Sequence, residues 1–193
     1  MQHKLLGEMF GLLGSRNLKA EMALLAAAMR QRGLKLGVKT VYGETFTRLR
    51  ANMTKAQAHG AEIHSMLDAT FRQLNAEFGF SLQLPPIPDI PRYHAELDEI
   101  EASHLQYLGL RNALKLAQPE FAERLVRALA TRLRAVNDSA FGEVELWSKS
   151  AAAQLEDQLK ERRKSFVRRI DGCLLYTSPS PRDATLSRMP SSA

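Results

Sequence analysis

The sequence predicts an all-α fold: an elongated antiparallel bundle of long helices, incomplete as it stands. Three observations carry this reading. Apolar residues alternate by steps of four and three through Tyr42, Phe46, Leu49, Met53, Ala56, Gly60, Ile63, Leu67, Thr70 and Leu74, a heptad seam of about five repeats. No proline occurs from Met1 to Leu84, so nothing stops a helix from about Val38 to Phe78, roughly 60 Å long. A second stripe, Val144, Trp147, Ala151, Leu155, Leu159, Phe166 and Ile170, falls mostly on one face of a further helix from about Ala140. Such stripes cannot stay in water and require neighbouring helices of similar length.

The elements follow in order. Leu5, Leu6, Met9, Phe10, Leu12 and Leu13 mark a short helix that reaches Gly14. Leu18 to Arg32 continues with Met22, Leu25 and Met29, either as a second helix or as the same one across a weak Gly14-Ser15 joint. Gly33 and Gly37 bracket a break, with Gly33 placed as a C-cap. Ala56 and Gly60 in the long seam let a partner backbone come close. At 79–91 the run GFSLQLPPIPDIP holds four prolines, so the chain leaves the helix for a stiff, extended reversal. Asp89 is placed to cap a helix from Arg92 to about Ala117, striped by Tyr93, Leu97, Ile100 and His104. Gln118-Pro119 restarts the chain, with proline at a first helical position and Glu120 and Glu123 suited to a helix N-terminus. Phe121, Leu125, Leu129, Leu133 and Val136 carry the apolar face on, with a possible kink at Asn137, Asp138 and Gly142.

At Cys173 the character changes. CLLYTSPSPRDATLSRMPSSA has no helical period and is rich in Ser and Pro. It resembles a translated sequencing adapter, with Cys173 to Asp183 matching one end of a transposase-type library adapter and Ser187 to Ala193 the other. Residues 173–193 are therefore expected to be an artefactual, disordered tail and the natural C-terminus to be missing. The organisation expected is an N-terminal helical segment at 1–37, a long-helix bundle at 38–172 with its Pro-rich connection at 79–91, and the tail.

The net charge is +6, of which the tail supplies one unit. The single cysteine lies in the tail, which excludes a disulfide framework and fits a reducing compartment. No apolar run approaches a membrane span. The basic balance points to anionic partners such as lipid headgroups or nucleic acid, but a charge this modest spread over long helices is more often simple solvation.

No catalytic constellation is visible. The glycine loop and lysine of a phosphate-binding loop are absent, as are dinucleotide fingerprints and paired cysteines. Glu101-x-x-His104 is half of a di-iron carboxylate pattern whose second copy is missing, which leaves His104 as a hydrogen-bonded core or boundary residue. His59 and His64 are five apart, wrong for two ligands on one helical face. No cofactor or metal is expected in these residues.

Two surfaces remain as binding candidates. One is the apolar side chains of the proline segment, Phe80, Leu82, Leu84, Ile87 and Ile90, which either wedge into a bilayer or partner from the tip of a long hairpin or fold back over the core. The other is the basic cluster Lys160, Arg162, Arg163, Lys164, Arg168 and Arg169, which either meets anionic lipid or is a solvated helix end. It lacks interleaved stacking aromatics, which disfavours nucleic acid.

Taken together, FGFSLQLPPIPDIPRY, SHLQYLGLRNALKLAQPEFAERLVRALATRLRAV and ELWSKSAAAQLEDQLKERRKSFVRRI resemble the connecting loop and C-terminal helical region of a bacterial dynamin-like GTPase family, over Lys39 to Ile170. The resemblance implies a stalk that self-associates through its helices, a GTPase domain with GTP and Mg elsewhere in the parent chain, and a cytoplasmic location peripheral to the inner membrane. It carries over no catalytic residue, so this piece is expected not to be an enzyme. The competing expectation is a freestanding coiled-coil scaffold without nucleotide chemistry.

Overall fold

The computed structural model describes residues 2–30, 36–108 and 118–177. All regular structure among them is helical: α1 (Gln2–Leu13), α2 (Ser15–Arg30), α3 (Leu36–Phe78), α4 (Ile90–Leu105) with a short 3₁₀ turn at Gln106–Leu108, and α5 (Pro119–Thr177). The 43 residues of α3 span roughly 65 Å and the 59 of α5 roughly 90 Å.

Side-chain pairings set the directions. Glu8 and Met9 of α1 meet His59 and Gly60 of α3, while Glu21 of α2 meets Arg48, so α1 and α2 run in series antiparallel to α3. Tyr42 reaches Glu101 and Arg50 reaches Asp98, so α4 is also antiparallel to α3. Tyr93 pairs with Glu143 and Arg132 with Ser103, so α5 opposes α4. The result is an up-and-down four-rod bundle, with α1 and α2 sharing one rod.

One continuous core runs down the middle. It takes Met9 and Leu13 from α1, Leu18 and Leu25 from α2, Tyr42, Phe46 and Met53 from α3, Tyr93 and Leu97 from α4, and Leu129, Leu133, Val144 and Trp147 from α5. The seam of α3 is buried through Ile63 and half-buried at Leu67, but the next buried residue is Phe71, while Thr70 is exposed and bonds back to the Met66 carbonyl. Two consecutive steps of four replace the expected four-and-three. A straight helix drifts about 20° per heptad, and one longer step returns the stripe to the core. Gly60 lies beneath the Met9 and Ile87 side chains, where an added Cβ would sit 3.4 Å from Met9 Cε.

The α1–α2 joint is built around Gly14, whose missing Cβ would lie 2.7 Å from the Phe10 carbonyl oxygen. Asn17 closes the joint by donating to the Leu12 carbonyl at 3.2 Å.

Several boundaries differ from expectation. Gly37 lies inside the first turn of α3, and Gly33 falls outside the described residues. Helix α4 starts at Ile90 with Pro91 in its first turn; Asp89 holds the N-cap position but makes no side-chain capping bond. Its α-helical part ends at Leu105, and 109–117 lie outside the described residues. Pro119 opens α5 as expected, and α5 then runs unbroken through Asn137, Asp138 and Gly142. It also passes Cys173, where the sequence changes character, and continues to Thr177. Propagating a formed helix by a few residues is easy, and the first proline comes only at Pro179. Residues 178–193 lie outside the description.

Candidate functional site

The proline segment and the far end of α5 meet. Gly79 ends α3 with φ +61° and donates its N–H to the Asn75 carbonyl at 3.0 Å, a left-handed helix stop that favours glycine. Arg162 of α5 donates to the Gly79 carbonyl at 2.6 Å and lays its guanidinium 5.1 Å from the centre of the Phe80 ring.

From Gly79 the chain does not project. It turns back and runs along α5 as a strap. Asn75 clamps its start, donating to the Leu82 carbonyl at 3.0 Å and accepting from the Leu82 N–H at 2.9 Å. The Gln83 N–H donates to Gln154 at 3.0 Å, and the Trp147 indole donates to the Pro85 carbonyl at 3.4 Å. The partners on α5 thus descend from 162 to 154 to 147 as the strap climbs. Prolines hold the segment extended and remove donors from its second half, so past Gln83 it is tied down through the Pro85 carbonyl and its apolar side chains.

That face is spent on the bundle. Leu82 is buried with Phe71 and Ala151, with Phe80 and Leu84 packed against the same cluster. Ile90 is buried in the main core. Only Ile87 is left exposed, at 40 %. Phe80, Leu82, Leu84, Ile87 and Ile90 therefore do not come together as an exposed hairpin tip; the fold-back alternative describes their placement. The clamp residues Asn75, Gln154 and Trp147 are what sequence reasoning missed. Their partners lie 7, 71 and 62 residues away, and the side-chain types alone do not announce them. Beside Trp147, the His64 ring stacks at 6.5 Å, and its buried Nδ1 has no hydrogen-bond partner among the described residues.

The basic cluster has the opposite placement. Lys160, Arg162, Arg163, Lys164, Arg168 and Arg169 are all exposed, because α5 continues past the point where α3 ends. With them the stripe comes into water: Leu159 is 51 %, Phe166 65 % and Ile170 45 % exposed. Lys160 pairs with Glu156 and Asp157, and Lys164 with Glu161, all within α5. Arg163, Arg168 and Arg169 make no ion pair among the described residues.

Elsewhere, His104 is buried and its Nδ1 lies 2.9 Å from the Ile100 carbonyl, while Glu101 is held by Arg50. No group of three or more His, Cys, Asp or Glu side chains suited to a metal occurs among the described residues. An open cleft of about 850 Å³ lies at the α1–α2 joint, between Phe10, Arg16, Asn17, Asp138 and Phe141. No described helix is long and apolar enough to cross a membrane.

These features define a helical bundle with long helices and one helix end projecting from it. The chain matches no protein-family model, no curated protein and no solved structure.

Proposed function

We propose that this chain is a rigid arm for assembly, the stalk-like part of a dynamin-like, membrane-associated GTPase whose nucleotide-binding domain lies elsewhere in the parent chain. The observation that carries the reading is the end of α5, where an apolar stripe and a row of arginines leave the bundle together without a covering helix among the described residues. The rods behind it suit a lever, because helices packed along one continuous core move as a unit. The dynamin-like part rests on the resemblance over Lys39 to Ile170 alone.

The genomic reading frame in front of Met1 tests it. A phosphate-binding loop of the form G-x-x-x-x-G-K-[ST] in the same frame supports the GTPase parent. A stop codon followed by a start signal favours the freestanding scaffold. Peripheral membrane contact is tested separately by co-sedimentation with anionic vesicles. Arg163→Glu with Arg169→Glu should abolish binding, which should also weaken with salt.

A further inference from the structure

We infer that Ser165 is a phosphorylation site for an arginine-directed serine kinase, and that the phosphate draws Arg162 off the start of the strap. The sequence around it is Arg162-Arg163-Lys164-Ser165-Phe166. A substrate groove lined by carboxylates reads arginine at the third and second positions before a serine, and an apolar residue just after it fills a neighbouring pocket. No other serine or threonine of the sequence has arginine at both places. The structure leaves this hydroxyl open to transfer. Thr131, Ser148 and Ser150 on the same helix return their hydroxyls to a carbonyl of the preceding turn. Ser165 is exposed and makes no hydrogen bond among the described residues. A kinase takes its substrate extended, so the helix must open locally. Every residue from 159 to 171 is exposed, so little packing has to be broken for that. In the transfer the Ser165 hydroxyl oxygen bonds to the γ-phosphorus of ATP and the bond from that phosphorus to the bridging oxygen breaks. ADP leaves, and the hydroxyl proton passes to the kinase's base.

Helical geometry sets what the phosphate meets. Positions three and four apart are neighbours on a helix surface, which places Arg162, Arg168 and Arg169 around Ser165. Glu161, the acid within the same reach, is paired with Lys164 at 3.0 Å. Arg168 and Arg169 have no ion pair among the described residues. Arg162 donates to the Gly79 carbonyl and lies over the Phe80 ring, two neutral partners in an exposed setting. A phosphate dianion is a stronger, bidentate partner for a guanidinium than either. Phosphorylation therefore turns Arg162 towards Ser165 and loosens the strap at Gly79 and Phe80, while Asn75 still holds Leu82. This switch needs no GTPase parent and works equally in a freestanding scaffold.

The folded full chain tests this with ATP, Mg and the catalytic subunit of cyclic-AMP-dependent protein kinase. Mass spectrometry should find one phosphate per chain, on Ser165, and none on Ser165→Ala. Arg162→Ala with Arg163→Ala should slow uptake at least about tenfold. Hydrogen exchange reads the strap. Phosphorylation should raise exchange at the Gly79 amide about threefold, and unphosphorylated Arg162→Ala should raise it by the same factor. Exchange around Phe46 in the core should stay unchanged in both. All three substituted positions are exposed, so the variants keep the fold. Three outcomes would each overturn the proposal. One is a folded chain that takes up no phosphate while a peptide of residues 160–170 is fully modified. Another is phosphate on a different residue. The third is Gly79 exchange that rises in Arg162→Ala but not on phosphorylation. None of them touches the reading frame in front of Met1, so the arm reading stands or falls separately.

Discussion

The buried side-chain amide of Asn137, about a third of the way along α5, donates to the main-chain carbonyl of Leu13, 124 residues earlier. Leu13 is the last residue of α1, where carbonyls lose their helical partners. One polar side chain thus finishes one helix from another and fixes how the two lie. Asn137→Leu keeps the branched shape and removes the donor, leaving a buried carbonyl unsatisfied. The expected loss is about 1–3 kcal/mol by urea denaturation. Asn137→Asp should be no better, because a carboxylate cannot donate.

Gly79 is the point where α3, the strap and α5 meet. Its φ of +61° penalises any side chain, and an added Cβ would lie 3.1 Å from Arg162 Nη2. Gly79→Ala should cost about 1–2 kcal/mol, and Gly79→Asn less, because asparagine tolerates the left-handed region. Arg162→Ala should cost less than either, since its bond is exposed. Thermal unfolding of the three variants orders them.

How much of this was legible in the sequence depends on the range of each interaction. The helical seam of α3 from Tyr42 to Ile63 could be read because burial there repeats with a local period. The shift from Thr70 to Phe71 could not, since a strict heptad and a drifting helix diverge only after several turns. The stripe through Phe166 reads as one that needs a neighbour of similar length, yet Phe166 is exposed, because α5 outruns the helices it packs against. The strap was harder. Its apolar residues read equally well as a tip or a lid, and what decides is Leu82 finding Phe71 and Ala151, one of them far along the chain. Asn75, Asn137 and Trp147 act through single long-range bonds that leave no periodic trace.

Asn75 should govern the strap locally rather than the fold globally. It makes both bonds to Leu82, whose amide is otherwise tied to nothing in the strap. Asn75→Ala should raise hydrogen exchange at Leu82 and Gln83 by at least about tenfold. Exchange in the core of α3 around Phe46 should stay unchanged. Asn75→Asp retains the acceptor and should fall between the two. Equal loosening of strap and core would mean that the clamp is part of the global fold instead.

Tyr42 sets the alkaline limit. Its ring is buried, and its hydroxyl donates to the Glu101 carbonyl at 3.1 Å. Burial, and then the nearby Glu101 carboxylate, push the phenol's pKa well above its ordinary value near 10. The folded state therefore holds the proton more tightly than the unfolded chain does. This contribution is fully present below about pH 10 and is lost as pH rises from the unfolded value towards the folded one. Tyr93 shifts in the same direction, through burial first, and adds to the slope. Tyr42→Phe removes the hydrogen bond and should cost about 1 kcal/mol at neutral pH. The same substitution removes the ionisable group, so stability should fall less steeply between about pH 10 and 12. Urea midpoints for the two proteins should converge as pH rises through that window. Parallel curves would place the alkaline transition on another group.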